Sequence, residues 1–402
     1  MRKRNTILFV VFLAVAVLIV GGFVLSLTLG WIPGLGSRRG TPFNPLPELK
    51  IQVVYATEEG PWIEGAARRF NSEGYVLNSQ RIVVELIPMD SVEALNQIRD
   101  GKLQPTAWSP ASMLWVNTLN DEWLVAHSTD LVMRVGQYQA TPLVLSPMVF
   151  VMWEDRAQAF VRHFGEEPDW DTVQRAVAAL EGWKSLGGDP NWGFVKFGQT
   201  DPVYSNSGLV AVSLASYHYY GKTRGLSPAD ITAADYQAWI TPLWRSVVGG
   251  YDRTSADLMA NMIRYGPSTY DVIMVYENLA ASQLKNAEGR WGSNLRIYYP
   301  HYNLWNDHPY CGLLADWTTA DQKDAALEFQ KYLLSEEVQR EALRYGFRPA
   351  NVDVPIINDD PENLFNKYPD LGLQVKIPRI NLVEVPSADT ISALQGLFRR
   401  QR

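Results

Sequence analysis

Residues 143–153, LVLSPMVFVMW, read as one long strand of apolar, β-branched and aromatic residues interrupted at Ser146-Pro147. Proline cannot donate to a β-ladder, so a proline inside such a run belongs on an edge or where a strand leaves one sheet for another. The second alternative makes this stretch the first crossing between two lobes.

Upstream of it, residues 49–57 read as a buried strand followed by a helix that Pro61 can open at its first position. Residues 81–90 form a second strand, 91–100 a helix, 106–108 a short strand ending at Ser109-Pro110, and 111–120 an amphipathic helix. Strands alternating with helices in this way indicate a parallel sheet covered on both faces. Downstream the pattern is mostly helical, over 156–165, 170–186, 207–221, 233–248 and 255–265, with a core strand at 270–277. Residues 295–300 and 312–315 read as the return, which puts the hinge at Ser146-Pro147 and near Tyr299-Pro300. Thr318 or Thr319 caps a long helix through Ala325, Phe329, Leu333 and Leu343 that stops at Gly346. The proline-punctuated tail after Pro349 is expected to wrap the first lobe. The expectation is an α/β chain with lobe 1 built from residues 48–146 and 299–402 and lobe 2 from 147–298.

Before the lobes, Arg2, Lys3 and Arg4 precede an almost unbroken apolar run from Ile7 to Leu29. Residues 6–30 span roughly 37 Å as a helix, enough to cross a bilayer with some tilt. No convincing small-x-small cleavage site follows, so the run reads as an uncleaved signal anchor. The basic residues leave residues 1–5 cytoplasmic and the rest outside. Residues 31–47, with Pro42, Pro45 and Pro47, form a stiff linker.

After residue 44 the chain carries 31 Lys and Arg against 43 Asp and Glu, with no basic stripe. Nucleic acid is a poor partner for such a surface. The single Cys311 allows no internal disulfide, so the fold rests on core packing. Fourteen tryptophans and nineteen tyrosines supply that core and are available to line a ligand cleft.

Three loop-to-helix junctions share a composition: Thr57-Glu58-Glu59-Gly60-Pro61-Trp62, Trp108-Ser109-Pro110-Ala111-Ser112, and Asp201-Pro202-Val203-Tyr204-Ser205-Asn206-Ser207-Gly208. In an open parallel sheet ligands bind beyond the carboxyl ends of the strands, where helix N-termini present free N–H groups. Serine and threonine hydroxyls there either cap the helix or meet a ligand.

The elements WSPASMLWVNTL (108–119), LVLSPMVFVMW (143–153), DPVYSNSGLVAVSLA (201–215), YGPSTYDVIMVYENLA (265–280), DHPYCGLLADW (307–317) and YLLSEEVQREALRYGFRPAN (332–351) occur in the order of bacterial extracellular solute-binding proteins. The chain resembles the branch similar to the molybdate- and sulfate-binding type, over Leu49 to Asn351, and GFRPA is the most specific piece. The resemblance implies a two-lobed type II periplasmic binding protein-like fold with two hinge crossings. It also implies an interlobe cleft that captures a small-molecule solute without chemistry or cofactor, and an ABC permease or other membrane protein as partner. The contacts it implies are Thr57 and Glu58 after the first strand, Ser109 and Ser112 at the second junction, and Ser146 at the crossing. Ser205, Asn206 and Ser207 at a second-lobe helix start, with Tyr276 and Glu277 after the core strand, complete the set.

The sequence departs from an oxyanion-binding pattern, because Glu58, Glu59 and Glu277 all fall near the expected cleft and carboxylates repel a fully ionised tetraoxyanion. Trp62, Trp108, Tyr204 and Tyr276 suit stacking on a sugar or other organic solute. His301, His308 and Cys311 match no standard metal spacing, and no ligand metal is expected. Gly221-Lys222-Thr223 lacks the preceding glycine of a phosphate loop, and no G-x-S-x-G or H-E-x-x-H occurs. Asp201, Glu277 and Asp307 are loop carboxylates rather than a hydrolytic set. A receptor or interaction module that keeps the two-lobed fold is the alternative from another class.

Overall fold

A computed structural model of the chain describes residues 46–377 and 379–401, and the expected membrane helix at 6–30 lies outside them. Among the described residues no helix is long and apolar enough to cross a membrane. The first lobe is built on a sheet whose strands run in the order Val76–Leu77, Gln80–Pro88, Glu48–Tyr55, Ala107–Ser109, Pro309–Gly312, Thr141–Pro142. Glu48–Tyr55 pairs in parallel with Gln80–Pro88 and with Ala107–Ser109, as strand-helix alternation demands. Pro309–Gly312 comes back antiparallel. Ile51, Val53 and Val84 of the sheet pack with Phe70 of helix Gly60–Glu73 and Phe329 of helix Ala320–Leu333.

The second lobe centres on the strand Val144–Trp153. It pairs antiparallel with Val272–Tyr276 and with Leu295–Tyr298, and Phe197–Gly198 adds a parallel edge. The stretch is apolar on both faces because helices cover both: Met148, Phe150 and Met152 enter one cluster, Val149, Val151 and Trp153 another.

The return crossing falls later than expected. Trp305–Asn306 still pairs with Pro147 and Ser146, and the chain enters the first sheet at Pro309, so Asp307 and His308 make the crossing rather than Tyr299-Pro300. His308 adopts φ 36, the left-handed turn that the change of sheet requires. The helix expected through 320–343 breaks into Ala320–Leu333 and Glu336–Ala342, because Ser335 takes an extended conformation that starts the second piece. The tail also differs: Val354, Phe365 and Leu373 pack with Val149 and Ile273, and Leu394, Leu397 and Phe398 pack with Trp244. Amphipathic spacing shows that a tail has an apolar face but not which lobe offers the matching groove.

Candidate functional site

The three junctions named from the sequence come together where the lobes meet. After the first strand, a short turn Thr57–Glu59 runs into helix Gly60–Glu73 with Pro61 in its first turn. Glu59 is fully buried and accepts from the hydroxyl of Ser109 at 3.0 Å. Burial and the neighbouring Glu58 push the Glu59 carboxyl well above its ordinary range, against the pull of the Ser109 bond. Ser112 caps helix Met113–His127 by accepting from the N–H of Leu114 at 3.3 Å.

From the second lobe, Ser205 and Asn206 start helix Asn206–Tyr220. Asn206 is satisfied on all sides: its amide donates to the Tyr276 hydroxyl at 2.7 Å and to Asn306 Oδ1 at 3.0 Å, while its Oδ1 accepts from the indole of Trp115 at 2.7 Å. The last bond links the two lobes. Gly208 lets this helix start approach the preceding loop, since a Cβ there would stand 2.4 Å from the Thr200 carbonyl oxygen. Ser207 exchanges hydrogen bonds with Thr200, Ser205 and Ser255, all four hydroxyls being buried.

At the crossing, the Ser146 hydroxyl donates to Asn278 Oδ1 at 2.9 Å and accepts from the Asn278 backbone N–H. His308 is fully buried between the rings of Tyr276 and Phe347. Its Nε2 lies 3.4 Å from Glu58 Oε1, within ion-pair range yet not aligned as a hydrogen bond, and neither atom has another partner. The sequence offered His308 only as part of a cluster with His301 and Cys311. Those three diverge: His301 meets Asp169, and the Cys311 thiol donates to the Trp108 carbonyl. Among the described residues no group of three or more His, Cys, Asp or Glu could hold a metal ion.

Two expected contacts are committed elsewhere. Trp62 is buried in the first-lobe core with its indole N–H on the Val338 carbonyl at 3.0 Å. Glu277 accepts from Arg348 at 2.6 and 2.7 Å and from the Tyr299 hydroxyl, a fully buried ion pair. Arg348 belongs to the GFRPA phrase. Gly346 of the same phrase takes φ +79, and a Cβ there would stand 2.8 Å from that of Ala281. The phrase therefore clamps the start of helix Glu277–Ala287.

A cavity of 490 Å³ lies between the lobes. Thr57, Met89, Asp90 and Glu93 line it from the first lobe, and Tyr204, Arg253 and Thr254 from the second. Of the residues named from the sequence only Thr57 and Tyr204 reach it. Asp90 caps helix Ser91–Arg99 through the N–H of Val92 at 3.0 Å. Its carboxyl is pushed up to about 7 by burial and by the charges of Glu58 and Glu93. Asp90-Ser91 and Arg253-Thr254-Ser255 are strand-to-helix and loop-to-helix junctions of the same kind as the three singled out, and their capping side chains were the available signal. A larger groove of 800 Å³ lies elsewhere on the second lobe around Phe194, Pro242 and Arg245, and holds none of the expected residues.

A family model for the bacterial extracellular solute-binding proteins matches residues 51–348. Among curated proteins none matches the sequence. Similar solved structures include the maltose-bound T. maritima MalE3, 13% identical with a TM-score of 0.54, covering 88% of this chain and 98% of that one. The iron-bound HitA from Pseudomonas aeruginosa is 13% identical with a TM-score of 0.53, over 88% and 99%. The sulfate-binding protein SubI from Mycobacterium tuberculosis H37Rv is 14% identical with a TM-score of 0.50, over 83% and 93%. At such identities the likeness carries the fold alone, and solutes as different as these leave the ligand to be argued from side chains.

Proposed function

The chain belongs to the bacterial extracellular solute-binding proteins, and on that premise we propose that it captures a small organic solute between its lobes and presents it to an ABC-type permease, performing no chemistry. The apolar run from Ile7 to Leu29 supports tethering by an N-terminal helix, with the lobes extracytoplasmic. One observation carries the reading: Thr57 and Asp90 on one lobe face Tyr204 and Arg253 on the other across a single cavity. Closure is favoured only by contacts that the closed form makes and the open form lacks. A solute touching both walls supplies such contacts. Ser109, Ser112, Ser146, Ser205, Asn206, Ser207 and Tyr276 do not line that cavity; their buried hydrogen bonds hold the seam between the lobes, where Glu58 also stands against His308. Asp90 and Glu93 in the cavity wall, with Glu58 close enough to act on Asp90, disfavour a tetraoxyanion, so the molybdate- and sulfate-type branch gives way to an organic ligand.

A second reading has its own support. The seam residues already satisfy one another, and Leu209 of the second lobe packs among Val54, Trp108 and Trp115 of the first. A cleft closed by its own side chains suits a scaffold for a membrane partner. A thermal-shift screen of oxyanions, sugars, amino acids and metal ions separates the two. A bound solute stabilises by RT ln(1 + [L]/Kd), about 2.7 kcal/mol at a hundredfold excess over Kd. Stabilisation by any one class sustains solute capture, and none across all four favours the scaffold.

A further inference from the structure

We infer that the solute is zwitterionic, with an ammonium group at one end and a carboxylate at the other; this rests on the cavity being the solute site and narrows its chemistry. The two walls carry groups of opposite sign that do not meet, and an ammonium ion beside Asp90 draws its carboxyl to the ionised form. On the first lobe, Asp90 and Glu93 stand in the opening turn of helix Ser91–Arg99. Asp90 spends one oxygen on the Val92 N–H, and Glu93 accepts from the Gln97 side chain at 3.0 Å. On the second lobe, Arg253 precedes helix Ser255–Tyr265, its guanidinium 5.7 Å from the centroid of the Tyr204 ring. Among the described residues Arg253 forms no ion pair, and the cavity separates it from the acidic wall.

Each simpler solute leaves one wall uncompensated. An alkylammonium ion satisfies Asp90 but brings positive charge toward Arg253. A carboxylate satisfies Arg253 but faces Asp90 and Glu93, with the buried Glu58 behind them. A neutral polyol pairs with neither charge. A molecule bearing both groups bridges the walls and, by doing so, holds the lobes together. Between its charged ends, Met89 and Val92 on one side and the half-exposed Tyr204 ring on the other offer apolar surface for a short methylene spacer. A cavity of 490 Å³ falls in the range of small-molecule sites.

The test is calorimetric titration of the full chain in detergent with ω-amino acids from glycine to 6-aminohexanoate, against n-alkylamines and n-alkanoates of matched length. Asp90→Asn keeps the helix cap, since asparagine caps as well as aspartate, and Arg253→Gln alters an exposed side chain. The expected result is binding of at least one ω-amino acid, weakened about tenfold or more by removal of either charged end. Each substitution produces a loss of the same size. Asp90→Asn no longer discriminates against the alkanoate, and Arg253→Gln no longer discriminates against the alkylamine. Equal affinity for a singly charged analogue, or unchanged affinity in both variants, overturns the inference. Stabilisation by sugars or oxyanions with all amino acids silent overturns it too, while leaving solute capture intact; silence across every class removes both.

Discussion

The indole N–H of Trp115 donates to Asn206 Oδ1 at 2.7 Å, joining a first-lobe helix to the first turn of a second-lobe helix. Trp115→Phe keeps most of the apolar contact and removes the donor, so a buried amide oxygen loses a partner. The expected cost is about 1–2 kcal/mol in denaturant unfolding. Because the bond spans the lobes, X-ray scattering should also show a larger radius of gyration. A stability loss without any expansion would mean that other contacts alone hold the lobes.

The buried pair of Arg348 with Glu277 makes a different demand. Arg348→Leu strands the Glu277 carboxylate among apolar neighbours, with only Tyr299 left as donor, and is expected to cost about 3–5 kcal/mol. The double change Glu277→Leu with Arg348→Leu should recover much of that loss. Denaturation midpoints of the two single variants and the double variant measure the coupling directly.

Gly346 sits at φ +79 with Ala281 and Asn278 pressed against it. Alanine there meets strain and crowding together, and a loss of about 2 kcal/mol or more is expected. By contrast, Gly101, also at positive φ, has open space around it. Its alanine variant should lose about 1 kcal/mol from the backbone alone, so the difference between the two melting curves reads the packing contribution at Gly346.

Stability should decline as pH rises from about 4 to 7. The Asp90 carboxyl is raised from 3.8 to about 7, so in that window the folded chain keeps a proton that the unfolded chain has released. The contribution is complete below the unfolded value and is lost as pH climbs through the folded one. Glu59, Asp271 and Asp307 shift in the same direction, all through burial first. Asp90 faces Glu58, Glu93 and Tyr276 and, across the cavity, Arg253. Asp90→Asn should flatten the profile by up to about 4 kcal/mol over the window, measured as urea midpoints at pH 4 and pH 7.5.

Much of the architecture was legible because it rests on short-range rules. The proline in LVLSPMVFVMW marked a strand passing between sheets, and Pro61, Thr319 and Gly346 each marked a helix end in a way any single sequence displays. The return crossing was not, since Asp307 and His308 lie between strands of two and four residues, too short for periodicity to mark. The site was half legible. Thr57 and Tyr204 reach the cavity, but Glu277 resembles a cleft carboxylate until Arg348, seventy-one residues away, is seen to pair with it. Asp90 and Arg253 escaped notice because a capping residue such as Asp90, or the residue before a cap such as Arg253, looks the same in sequence whether or not another lobe stands opposite.

A solute captured by this chain is expected to sit between Thr57 and Asp90 on one lobe and Tyr204 and Arg253 on the other. A crystal structure of the chain with a solute that raises its melting temperature tests this most directly. Density is expected in contact with both walls of that cavity; density confined to one lobe, or lying in the groove around Phe194 and Pro242, rules out capture between the lobes.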